Sequence, residues 1–178
     1  MTPPKYFWDT SCFISFLAKD PGESPHVFAS AQAVLRDVER GAAVLITSTI
    51  VTGEILKSRT DPETYQRFVK LLENSEHIVL QDVDAGVMEQ FVRLREAVLA
   101  VPNIAPRCTQ CGRPTDTPRW ADMVLAATAL VYEAELAAAH SLDPRFNTLL
   151  GLAGSKLRAT APAHPSVSAR QQLLLLDP

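Results

Sequence analysis

Cysteine is scarce, with three in 178 residues. Three cannot pair completely, and Cys108 and Cys111 sit close together, which excludes a disulfide-dense secreted scaffold and favours a reducing, cytoplasmic home. Long apolar runs are also missing. None reaches the length of a bilayer span, so no membrane association is expected. The opening stretch MTPPKYFWDTS has no charged segment followed by a long apolar one, so no signal peptide is expected. Positive charge is not in excess. The net charge of −3 leaves no global basic footprint, and any nucleic-acid binding has to come from a local patch. There is no internal repeat and no low-complexity block. Hydrophobic residues make up 47% and charged residues 21%, ordinary for a soluble globular protein, which excludes disorder, collagen and coiled coil. At this size one domain can bury a core without disulfides. Residues 1–162 read as that domain, with a loop insertion at 101–118, and residues 163–178 read as a C-terminal tail.

Short apolar runs alternate with amphipathic segments. Tyr6 to Trp8 reads as a first strand ending at Asp9, followed by a helix from Thr10 to Ala18. Ser24-Pro25 combines a cap with a proline at the first helical position, and Phe28, Ala31, Leu35 and Val38 keep a helical spacing until Gly41. Ala43 to Ile46 reads as a strand, Ser48 as a cap, and Thr49 to Lys57 as a helix carrying Glu54. Asp61-Pro62 opens another helix. Ile78 to Leu80 reads as a third strand and Asp84 to Ala100 as a helix. Four prolines and two cysteines mark Val101 to Pro118 as a loop, long for a compact domain. A helix from Thr117-Pro118 to about Glu133 leads into a fourth strand, Leu136 to Ala139, and Lys156 to Thr160 reads as a last strand. Helices between short buried strands predict an α/β fold with a mainly parallel sheet flanked by helices.

In such a sheet, sites form beyond the carboxyl ends of the strands. Asp9, Glu54, Asp122 and Asp143 fall there, 45, 68 and 21 residues apart in sequence. Asp122 shares a helix face with Leu125, Ala126, Ala129 and Leu130, and Glu54 shares one with Ile50 and Val51. An acid on an apolar stripe is costly unless paired or bound to metal. Taken alone, Asp122 reads as an acid stabilised at a helix N-terminus or as an ion-pair partner. Four acids at one edge read as a shared site. Clustered carboxylates ask for a cation, and oxygen-only ligands suit Mg²⁺ or Mn²⁺. Metal sites of that kind hold substrate phosphates and activate water.

These residues resemble the PIN-domain nucleases. YFWDTSCFISFL resembles the first strand and helix of that family, with Asp9 as first acid and Ser11 two residues on. STIVTGEIL resembles the second motif with Glu54, ADMVLAATAL the third with Asp122, and HSLDPRFNTLLGL the fourth with Asp143. Their order and separations are similar to the VapC toxin branch, over roughly residues 5–162. The resemblance implies a three-layer α/β sandwich and a Mg²⁺-dependent endoribonuclease, held inactive by a cognate antitoxin and assembled as a homodimer. It implies metal ligation by Asp9, Glu54, Asp122 and Asp143, help from Ser11 beside Asp9, and RNA products with 5′-phosphate and 3′-hydroxyl ends. Thr128 reads as a packing residue or as a contact to a neighbouring acid, and Asp116 as a turn acid or an outer ligand. The chain departs from the family pattern at Pro144, directly after the fourth acid, and in its longer loop. A catalytically inactive PIN-like module that binds RNA or protein is the alternative. A phospho-receiver domain is disfavoured, because Asp9 is followed by Thr10 and Ser11 rather than a second acid.

The loop carries CTQCGR, half the ligand set of a structural zinc, so Cys108 and Cys111 read as thiols or a local disulfide before a metal site. Arg107, Arg113 and Arg119 read equally as holders of RNA phosphates or as scattered surface charge. Trp120 reads as a core anchor, with base stacking as the alternative. Leu173 to Leu176 reads as a segment docked on this domain or on a partner.

Overall fold

A strand keeps its backbone groups paired only beside another strand, and β1 (Lys5–Trp8) finds one on each side. Its partners are β2 (Val44–Ser48) and β4 (Leu136–His140), with β3 (Ile78–Gln81) beyond β2 and the two-residue β5 (Ala159–Thr160) beyond β4. All four pairings are parallel, in the order β3-β2-β1-β4-β5. The computed structural model describes residues 2–18, 25–57, 61–101 and 120–164. Asp116, Cys108, Cys111, Arg107, Arg113, Arg119 and Leu173 to Leu176 of the loop and tail lie outside the described residues, as do the Ser24 cap and the Thr117-Pro118 helix start.

Seven helices connect the described strands: α1 (Thr10–Ala18), α2 (Pro25–Glu39), α3 (Ile50–Lys57), α4 (Pro62–Glu73), α5 (Ala85–Ala100), α6 (Trp120–Val131) and α7 (Pro144–Leu152). The chain steps from β1 to β2 to β3 in one direction and then returns to β4 on the far side of β1. Because parallel crossovers are right-handed, that reversal puts α1 to α4 on one face and α5 to α7 on the other. Contacts agree: α1 packs on α2, α3 and α4, while α6 packs on α5 and α7. The result is the expected α/β sandwich.

Local chemistry sets the element boundaries. Asp61 caps α4 by accepting from Thr64 N–H at 2.9 Å, with Pro62 at the first helical position. Asp84 caps α5 by accepting from Val87 N–H at 2.9 Å, and Val87, Phe91, Leu94 and Val98 bury one face of that helix. Gly41 ends the turn after α2 with φ +69°, and a Cβ there would meet the His77 ring at 2.7 Å. Phe7, Trp8, Phe13, Leu45, Phe68 and Leu94 are fully buried around the sheet. Each side chain of that class contributes about 1.5–3 kcal/mol on burial.

Candidate active site

With every described strand parallel, all five end at the same edge, and α1, α3, α5 and α7, which begin within four residues of the ends of β1, β2, β3 and β4, have their N-termini there. The strand order reverses between β1 and β4, which is where an open α/β sheet forms a crevice. Asp9 directly follows β1 and Asp143 lies three residues beyond β4. Glu54 is in α3, just after β2, and Asp122 is in the first turn of α6. These four acids line one cavity of about 280 Å³, together with Thr10, Ser11, Ile14, Lys57 and Leu125.

Asp9 is the most buried of the four, at 4% exposure. It caps α1: its Oδ1 accepts from Cys12 N–H at 3.2 Å and from the Ser11 hydroxyl at 2.5 Å. Its Oδ2 accepts from the Ser141 hydroxyl at 2.5 Å. Burial pushes the Asp9 carboxyl above its ordinary value, while the hydroxyl and N–H donors pull it back down. The adjacent Cys12 thiol is pushed well up, first by burial and then by the Asp9 charge, so it is inert as a nucleophile.

The two serines also order the loop after β4. Leu142 N–H donates to Ser11 Oγ at 2.9 Å, and Asp143 N–H donates to Ser141 Oγ at 3.0 Å. Glu54 Oε2 accepts from the Thr10 hydroxyl at 2.5 Å, which links α3 to the start of α1. Asp9, Asp122 and Asp143 each sit at a helix N-terminus, where the dipole favours an anion. Glu54 lies further along its helix.

Asp143 is engaged twice over. It caps α7 by accepting from Arg145 N–H at 2.9 Å, and the Arg145 guanidinium grips both carboxylate oxygens at 2.7–3.1 Å. The guanidinium beside it holds the Asp143 carboxyl below the usual range. Among the described residues no group of three or more His, Cys, Asp or Glu is arranged to hold a metal ion. The chemical type of the donors still fits a hard cation, since the polar side chains lining this cavity, Lys57 apart, carry carboxylate or hydroxyl oxygens.

Asp9, Ser11, Glu54, Asp122 and Asp143 are thus brought together. Thr128 is not: it is fully buried and its hydroxyl donates to Val124 C=O at 2.9 Å, in keeping with its reading as a packing residue. Trp120 corrects its expectation as a core anchor. It begins α6 half-exposed, at 52%, leaning edge-on against Phe91 at 6.4 Å between ring centroids, because the only ring that meets it among the described residues covers one side of the indole. Sequence reasoning did not single out Thr10, Lys57 or Ser141. The only signals were that Thr10 falls between Asp9 and Ser11, that Lys57 falls one turn after Glu54, and that Ser141 falls two residues before Asp143.

A comparison with curated protein sequences finds no match. Among solved structures, the VapBC2 complex of Rickettsia felis, bound to a DNA fragment from its promoter, is similar in fold. It aligns with a TM-score of 0.53 at 16% identity, covering 82% of this chain and 92% of that one. The PIN domain model matches residues 6–149, a span that contains the sheet through β4, the carboxylate cavity and most of α7. Taken with the all-parallel sandwich and the acids at its switch point, that match means the chain belongs to the PIN domain family.

Proposed function

We propose that this protein is a metal-dependent endoribonuclease that hydrolyses RNA phosphodiester bonds, acting as the VapC-type toxin of a toxin–antitoxin pair. The observation that carries the reading is the single cavity at the β1/β4 switch point lined by Asp9, Glu54, Asp122 and Asp143. Those carboxylates would hold Mg²⁺ or Mn²⁺ directly or through water. The bound ion would supply a water acidic enough to attack at neutral pH and would offset the charge developing on phosphate. The chain's own groups have separate tasks. Ser11 and Ser141 fix the orientation of the Asp9 carboxylate, and Thr10 fixes that of Glu54. Lys57, at the mouth of the cavity, brings a cation to a site that must accept a polyanion. The buried Asp9 supports a metal role, since an ionised carboxylate with only hydroxyl and N–H donors gains from a cation.

An antitoxin partner and a homodimer belong to the same reading. The alternative is an inactive PIN-like module that binds RNA or protein. It draws its support from Arg145, whose guanidinium already occupies Asp143.

The test is Asp122→Asn. Cleavage of a mixed RNA substrate in Mg²⁺ is expected to fall at least a hundredfold, while the melting temperature in EDTA stays the same or rises as one of several like charges is removed. Mg²⁺ is expected to raise the melting temperature of the wild type more than that of the variant. Wild-type protein that cuts no RNA, or an Asp122→Asn variant that cuts normally, would sink the assignment.

A further inference from the structure

A second opening lies beside the carboxylate cavity. It measures about 660 Å³, sits between α3 and α6, and is walled by Ile50, Gly53 and Trp120. It shares Glu54 and Lys57 with the carboxylate cavity, so the two adjoin along α3.

Its walls have a distinct character. Trp120 is 52% exposed, although burying an indole is among the largest single gains a side chain offers. Phe91 braces it at an interplanar angle of 60°. Across the opening, a Cβ built on Gly53 meets no heavy atom of the described residues within 4 Å beyond its own stretch of α3. An exposed indole, an aliphatic wall at Ile50 and a cation at Lys57 suit a flat aromatic group joined to an anion. A nucleobase and its phosphate are such a group. The shared wall with the carboxylate cavity favours a base over an apolar side chain of a protein partner, because Lys57 borders both compartments and its cation suits a phosphate between them.

We propose that the cavity between α3 and α6 is a base-binding subsite, in which an unpaired base of the RNA strand stacks on Trp120 while Lys57 contacts the phosphate joining it to the nucleotide at the carboxylates. The proposal rests on the nuclease reading and deepens it. It makes the substrate single-stranded at this position, since a base within a duplex cannot reach the indole. Stacking tolerates any base, so the subsite sets strandedness before sequence.

The test measures binding in EDTA of a short single-stranded oligoribonucleotide of mixed sequence and of the same strand with abasic positions. The chain has two tryptophans, and Trp8 is fully buried, so quenching reports on Trp120. The intact strand is expected to quench the fluorescence and the abasic strand to leave it unchanged. Trp120→Ala is expected to weaken binding of the intact strand about tenfold and leave the abasic strand unaffected, with Trp120→Phe keeping most of the affinity. Gly53→Leu, which has room at its Cβ, is expected to fill the cavity and weaken the intact strand alone, with the melting temperature showing that the fold persists. Equal affinity of wild type for both strands, or an equal loss for both in Trp120→Ala, overturns the subsite. RNA cleavage by wild type in Mg²⁺ separates the two failures. Cleavage without base discrimination removes the subsite only, whereas neither binding nor cleavage removes the nuclease reading as well.

Discussion

His140 ends β4 at 1% exposure, stacked on Tyr6 with ring centroids 5.6 Å apart. Its Nδ1 accepts from Trp8 Nε1–H at 2.9 Å, so the neutral ring must carry its proton on Nε2. Burial lowers its pKa from 6.5 to about 4. A base depressed in the folded state contributes stability that is fully present above the unfolded pKa and is lost as pH falls through the folded one. Between pH 6.5 and 4 this ring alone is expected to cost the protein about 3 kcal/mol. Urea melts at pH 7.5 and 4.5 check it: His140→Gln should lose less stability than wild type over that interval. Parallel losses would show that His140 is not the sensitive group. At this scale the acids are legible in sequence because Glu54 and Asp122 interrupt apolar helix faces, and an interruption is visible without coordinates. Ser141 and Thr10 are not legible. A hydroxyl at the end of a strand or the start of a helix breaks no pattern, and only the fold reveals that both point at carboxylates.

Among the elements, α7 is where sequence reading falls short. Asp143-Pro144 is the same cap-then-proline device that marks α4, yet Asp143 reads first as a site acid and the helix behind it is overlooked. The last strand is also shorter than the Lys156 to Thr160 reading, because only Ala159 and Thr160 pair with β4. The strands and helices with clean periodicity, β1 to β4 and α1 to α6, lie close to where spacing puts them over the described residues. The double duty of Asp143 can be separated by two substitutions. Asp143→Ala removes the cap and is expected to cost about 1 kcal/mol, a shift of about 2–4 °C in melting temperature for a domain of this size. Asp143→Asn keeps a good capping side chain and loses the charge, so its melting temperature should stay near that of wild type. Cleavage should drop in both variants if the carboxylate serves the site. Cleavage unchanged in both would reduce Asp143 to a helix cap held by Arg145.

For the whole molecule, the exposed surface raises the question of assembly. Leu99 is 66% exposed and Leu56 57%, and a groove of about 300 Å³ lined by Phe16, Leu17, Phe28 and Leu71 runs between α1, α2 and α4. Single exposed leucines are ordinary, whereas a contiguous apolar groove marks a contact site. The purified chain is expected to scatter light as a dimer, at about twice its 19.5 kDa mass. A monomer at high micromolar concentration would count against self-association. The strand order has a further consequence, for the protein while it is being made. β1 emerges from the ribosome first, but its neighbour β4 lies more than 130 residues later in the chain, and Ser141 and Asp143 come later still. A nascent chain holds Asp9 and Glu54 long before the groups that complete the cavity exist. On the nuclease reading, a ribosome stalled anywhere before His140 carries a harmless polypeptide, so the topology that builds the site also delays its assembly until β4 has been made.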